Sequence, residues 1–245
     1  MNLEGRGPSR PGIQGRQGVD SPLARISGLR PPVAALQSAR LYGILDLGYV
    51  SAADATRVTG AMLEGGVQIL QLRAKNHPVS AIAALARQIA PLCQAAGVPF
   101  ILNDHPSLVG ETGADGAHVG QDDMTVEQAR ELAGADKVIG LSTHSLSQAV
   151  AAQEQGPDYI GFGPLFATPT KPDYVPIGLS EIAEVHRRVS IPIFCIGGIK
   201  LENLTTLLEA GTTRAVIVSG ILQSPDISGY CRTCRGLLNP GTPGN

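Results

Sequence analysis

Tryptophan is absent from the 245-residue sequence, and aromatic residues make up only 4% of it, whereas Gly occurs 30 times and Pro 18 times. That balance argues against a helical bundle and suits a fold of many short elements joined by turns. Charge is also sparse. Asp, Glu, Lys and Arg together reach 16%, too few for a disordered chain, while the apolar 43% is enough for a real core. Neither sign dominates: the net charge is −2 and the pI about 6.2, so a strongly basic nucleic-acid binder is not the expected reading. No run of 18 apolar residues occurs, so no membrane-spanning helix is expected, and no apolar stretch near the N-terminus resembles a secretory signal. Cysteine is limited to Cys93, Cys195, Cys231 and Cys234. The first two lie in apolar segments. Cys231 and Cys234 form one C-x-x-C with no second pair or H-x-x-x-H to complete a zinc site, so they read as a chance pair in a reducing, cytoplasmic protein.

The length allows one or two domains. Residues 1–37 are rich in Gly, Pro, Ser and Arg, carry acids only at Glu4 and Asp20, and lack helical or strand periodicity. They read as a flexible extension, since they offer little apolar area to offset ordering entropy. Their Arg-rich, acid-poor composition also allows an organelle transit peptide, although amphipathicity is weak. A catalytic domain is expected over 38–235, and residues 236–245 read as loose.

Within the domain, β-branched runs recur at 41–47, 67–72, 99–103, 116–120, 137–142, 158–163, 191–197 and 214–220. Helical stretches separate them, such as Val79–Ala86 and Glu202–Leu208. Most helices are expected to stop at a glycine (Gly65, Gly97, Gly113, Gly134, Gly156, Gly211), which accepts the left-handed conformation past a helix end. Strand–helix units in series imply a parallel α/β sheet, and eight of them predict a closed (β/α)8 barrel of the TIM-barrel class. An open doubly wound sheet is the alternative, but the loop after 41–47 lacks the glycine fingerprint that a Rossmann reading needs. The connection from Pro164 to Ile177 is long and proline-rich, so it is predicted to be a non-helical, functional loop.

In such a barrel, chemistry sits at the C-terminal ends of the strands. Gln71, Arg73 and Lys75 alternate along one side of an extended segment, and two cations with an amide suit a polyanion such as diphosphate. Asp104 and Asp123 follow the third and fourth strands. Paired with substrate phosphates, they suit Mg²⁺, although each also fits a helix N-cap. Gly197-Gly198 and Ser219-Gly220 end the last two strands, the usual phosphate site of such barrels; a plain turn and a plain cap are their bland readings. His118 reads as a barrel-interior residue, His144 as a base or a cap, and His77 and His186 as surface residues.

Six segments taken in order closely resemble the thiamine-phosphate synthase family: LYGILD, GGVQILQLRAKN, FILNDHPSLVGETGADGAHVGQDDM, VIGLSTHS, DYIGFGPLFATPTK and PIFCIGGI. The resemblance spans about residues 40–223. It implies a transferase that joins a pyrimidine diphosphate to a thiazole phosphate with Mg²⁺, releasing diphosphate; its partners are small molecules. It places Gln71, Arg73, Lys75 and Asn103 on the pyrimidine diphosphate, Ser142 on the pyrimidine, and Asp104 and Asp123 on the metal. Thr168 and Thr170 fall on the thiazole phosphate with Gly198, Val218 and Ser219, and Lys171 on diphosphate. Arg73, Lys75, Lys171 and Ser142 are thereby the implied catalytic set. The chain departs from the family pattern at His105, where Arg is usual, and at Leu45, where Thr is usual; residues 1–37 have no counterpart. A thiazole tautomerase on the same barrel, or a regulatory phosphate-binding barrel, are the competing readings. The diphosphate clamp disfavours the first, and ligand binding without turnover would mark the second. Oligomeric state is not legible in the sequence.

Overall fold

The eight runs become eight parallel strands: β1 (Leu41–Asp46), β2 (Ile69–Arg73), β3 (Phe100–Asn103), β4 (Gly116–Val119), β5 (Val138–Thr143), β6 (Tyr159–Phe162), β7 (Ile193–Cys195) and β8 (Ala215–Ile217). The structure is a computed structural model, and residues 31–168 and 175–239 are described from it. Strand order is β1 to β8 in sequence, and Leu41 pairs with Ala215 to close the barrel. The (β/α)8 architecture expected from the sequence is therefore present, and the open-sheet alternative falls.

Strand alternation divides the core in two. Leu70, Leu72, Phe100, Leu102, Ile139 and Ile160 point outward into the helical layer. Tyr42, Ile69, Ile101, Val138, Tyr159, Phe194 and Val216 point inward and fill the barrel. The helix Val79–Ala96 has the length and hydropathy of a membrane span. Here it buries Ile82, Leu85, Ala86, Ile89 and Cys93 in the outer core layer.

Three readings of the sequence need correction. The extension does not run to residue 37: Pro31–Ser38 is a helix, and its Val33 and Leu36 pack with the barrel interior. Leu36 is fully buried, which contributes about 1.5–3 kcal/mol toward ordering this segment. Residues 1–30 lie outside the described part. At the other end, the last helix, Ile227–Leu238, continues past 235 because Leu238 is buried. Third, Gly65 is not a left-handed stop. Its φ is −71°, and Gly66 takes the positive φ instead. A Cβ on Gly65 would lie 2.5 Å from the Cβ of Cys231 and 2.6 Å from the Ser228 carbonyl, so the position needs glycine for a close helix–helix approach. Gly97, Gly113, Gly156 and Gly211 do stop helices with positive φ. Cys231 and Cys234 are fully buried in this same last helix, and burial pushes both thiols up to about 12.

Candidate active site

At the C-terminal end of the barrel, Asp46 and Arg73 are register partners on β1 and β2. Arg73 Nη1 donates to Asp46 Oδ2 at 2.6 Å, with 13% and 3% of the two side chains exposed. Asp46 also accepts the Gly48 amide at 2.9 Å. The guanidinium is thus held in place before any ligand arrives, with further donors of its five still to offer.

Lys75 is two residues further on, and its Nζ lies 3.9 Å from Asp104 Oδ2. Asp104 adopts φ +63°, uncommon outside glycine but tolerated by Asp, and its amide donates to the His118 carbonyl at 2.9 Å. Burial pushes the Asp104 carboxyl above its ordinary range, and the neighbouring Asp123 pushes it further; Lys75 and His105 pull it back. Asp123 accepts the Gly120 amide at 2.7 Å. It does not cap the following helix Val126–Ala133, because Thr125 does so in a reciprocal bond pair with Gln128.

Ser142 Oγ lies 2.9 Å from His118 Nε2, and the Ser142 carbonyl accepts from Gln121 at 2.7 Å. His118 is inside the barrel, as its place in β4 predicts. A Cβ at Gly140 would come within 2.2 Å of the Tyr159 ring and 2.5 Å of His118 Nδ1, so the inward glycine of β5 makes their room. His144 Nδ1 lies 2.6 Å from the Gly163 carbonyl; a carbonyl only accepts, so Nδ1 carries the proton. The cap expected of His144 is supplied by Ser145. His77 is exposed as expected, whereas His186 is half-buried, with Nε2 unpartnered and its pKa lowered by burial and by Arg214.

The segment after β6 is stitched onto the end of β7. The Leu165 and Phe166 amides donate to the Ile196 and Gly197 carbonyls at 2.9 and 3.1 Å. Gly198 has φ +66°, and a Cβ there would sit 2.7 Å from the Ala167 carbonyl, so only glycine fits. Asn203 secures the Gly198 carbonyl at 2.9 Å. Ser219 opens a short helix, Ser219–Leu222, directly after Val218.

One cavity gathers Gln71, Arg73, Asn103 and Ser142 together with Thr168, Gly198, Val218 and Ser219. Lys75, Asp104 and Asp123 are not in its lining; they form a neighbouring cluster beside Asn103. Thr170 and Lys171 lie outside the described residues. Reasoning from sequence passed over Asp46 as an anchor, and Tyr42, Tyr159 and Phe194 as the cavity floor. The available signal was phase: Asp46 is in step with Tyr42 and Ile44 on the inward face of β1.

Comparison with known proteins agrees with this geometry. Residues 41–221 match the family model described as thiamine monophosphate synthase. The chain is 40% identical over 189 residues to the thiamine-phosphate synthase of Shouchella clausii (strain KSM-K16), covering 77% of this chain and 90% of that one. It is 38% identical over 200 residues to the thiamine-phosphate synthase of Halalkalibacterium halodurans, covering 81% and 95%. The structure resembles the thiamine phosphate pyrophosphorylase of Pyrococcus furiosus with a TM-score of 0.76 and 28% identity, over 84% of this chain and 98% of that one. An arginine pre-set by a buried carboxylate, a glycine cup lining the same cavity and an acidic pair by Lys75 thus occur in a chain that belongs to the thiamine monophosphate synthase family of transferases.

Proposed function

We propose that this barrel condenses 4-amino-2-methyl-5-(diphosphomethyl)pyrimidine with 4-methyl-5-(2-phosphoethyl)thiazole, giving thiamine phosphate and diphosphate. The observation that carries the reading is the meeting of two anion-adapted groups at one cavity: Arg73, held by Asp46, lines it together with Gly198 and Ser219. The four unpaired, buried cysteines support a reducing, cytoplasmic setting.

The acidic pair supports a hard cation. Among the described residues no group of three or more His, Cys, Asp or Glu forms a ready-made metal cage, but Mg²⁺ is commonly held by one or two carboxylates together with substrate phosphates. Asp123 adds to the burial that raises the cost of ionising Asp104, a cost that a cation would relieve. Mg²⁺ bound by Asp104, Asp123 and the diphosphate would supply Lewis-acid stabilisation of the leaving group. The chain's own residues do the rest. Arg73, Lys75 and Asn103 hold the diphosphate as the C–O bond to the pyrimidine methylene breaks, Gln71 contacts the same substrate, and Lys171 adds positive charge. Ser142 orients the pyrimidine, whose amino group stabilises the cationic methylene. Thr168, Thr170, Gly198, Val218 and Ser219 place the thiazole phosphate so that the ring nitrogen attacks that carbon. No protein nucleophile is required; alignment and charge stabilisation suffice.

The test mixes the purified protein with both substrates and Mg²⁺, with and without EDTA. Thiamine phosphate and diphosphate are expected in equal amounts and only without EDTA. A folded protein that binds the thiazole phosphate yet forms no product would overturn the proposal. A second expectation concerns Asp104→Asn. Removing one of two crowded carboxylates should raise the metal-free melting temperature by about 2–4 °C, the shift that roughly 1 kcal/mol produces at this size, while the Mg²⁺ concentration needed for activity rises. Thermal melts and a Mg²⁺ titration of the variant check both halves.

A further inference from the structure

Across the cavity floor, side chains from five of the eight strands form one continuous hydrogen-bonded chain. Gln71 Nε2 donates to the Tyr42 hydroxyl at 2.8 Å. The Tyr42 and Tyr159 hydroxyls are 2.9 Å apart. Tyr159 is 3.0 Å from His118 Nδ1, and His118 Nε2 is 2.9 Å from Ser142 Oγ. Phe194 props both tyrosine rings edge-on, with centroids 5.4 and 5.5 Å away. Both phenols are fully buried and held in the protonated form by that burial.

Each buried hydroxyl has one proton, and each proton needs an acceptor. That fixes the direction of the whole chain. The Tyr42 oxygen accepts from Gln71, so its proton goes to Tyr159. The Tyr159 proton then goes to His118 Nδ1, which is bare. The imidazole is neutral, with its proton on Nε2 and directed to Ser142 Oγ. Ser142 keeps its own proton for the cavity, and Gln71, having spent an N–H on Tyr42, turns its amide oxygen to a ligand.

We infer that Tyr42, Tyr159 and His118 are positioning residues that set Ser142 as a hydrogen-bond donor and Gln71 as an acceptor, so that the floor selects an aminopyrimidine, with its ring-nitrogen acceptor and exocyclic amine donor, over the 4-oxo ring, whose pattern is reversed. This rests on the pyrimidine reading above and deepens it. A site that hydrogen-bonds its ligand in this way discriminates strongly, because the wrong ring leaves buried polar groups unpaired.

The experiment has two arms on the full chain. Nitrogen-15 NMR of the ligand-free protein reads the His118 tautomer, and calorimetry reads Kd for the aminopyrimidine diphosphate and for its 4-oxo counterpart. Wild type is expected to show a bare Nδ1 and a protonated Nε2, with at least a hundredfold preference for the amino ring. Tyr159→Phe keeps the ring packing and cuts the chain; it is expected to release the tautomer preference and shrink the Kd ratio at least tenfold. Tyr42→Phe, which cuts the chain one link earlier, is expected to shrink the ratio also and serves if Tyr159→Phe does not fold. An unchanged ratio in a folded variant overturns the inference. A proton on Nδ1 in wild type with normal synthase activity overturns the directed chain alone. The expected tautomer with neither ring bound overturns the recognition role together with the pyrimidine reading.

Discussion

Asp46→Ala is expected to cost roughly 3–5 kcal/mol of stability and most of the activity at once. The buried Asp46–Arg73 pair has Nη1 and Oδ2 2.6 Å apart, and removing one partner strands the other charge in a poorly solvated place, which costs on that scale. A chain of this size should then melt roughly 6–20 °C lower. The activity loss has a separate origin: Arg73 would no longer be held toward the diphosphate. Asp46→Asn separates the two. It keeps one acceptor oxygen, enough for Arg73 or for the Gly48 amide but not for both, because the two bonds use different Asp46 oxygens; it should therefore recover part of the stability while kcat stays well below wild type. Chemical denaturation and steady-state kinetics on the two variants check this. Equal kcat values for Asp46→Asn and wild type would show that the pair serves folding only.

Lys171→Ala is expected to lower kcat by about 10²–10³ with the fold intact, the usual cost of losing one preorganised charge contact on a developing anion. The residue follows Thr168, which lines the cavity, by three positions, and three residues of chain reach at most about 10 Å. Stability should stay within about 0.5 kcal/mol, the usual range for a substitution outside the packed core. Lys171→Arg should recover only part of the rate, because a planar fork does not replace a point charge. Rapid-quench measurement of diphosphate release reads the step directly; wild-type release from Lys171→Ala would remove Lys171 from the proposed clamp.

The barrel itself was legible because period-2 and period-3.6 patterns alternate cleanly and the strand ends carry the polar residues. Alternation placed Gln71, Arg73 and Lys75 on one side of an extended segment, whereas Asn103 and Ser142 were picked out by the family resemblance. What stayed hidden depended on pairing between distant strands. Asp46 is an ordinary strand-end acid until β1–β2 register sets it opposite Arg73. Tyr42 and Tyr159 are 117 positions apart, and no local pattern marks them as partners. Asp123 was ambiguous because an acid before a helix fits a cap as well as a metal, and only the Thr125–Gln128 bonds exclude the cap. Residues 31–37 were misassigned for a different reason: the segment is too short and too Pro/Gly-flanked to show periodicity, and what orders it is the open end of a barrel built later in the chain.

That late dependence has a consequence for synthesis on the ribosome. Arg40, just before β1, bonds the Thr213 carbonyl across a sequence separation of 173 residues, and the last helix seats Cys231 against Gly65 in the first unit. The earliest-made strand therefore waits for nearly the whole polypeptide before its second neighbour emerges. Until then it presents an unpaired edge and an uncovered apolar face to solvent, conditions that favour misassociation. Translation speed through the final forty codons, rather than through the middle of the message, should thus govern how much of the newly made protein reaches its closed form.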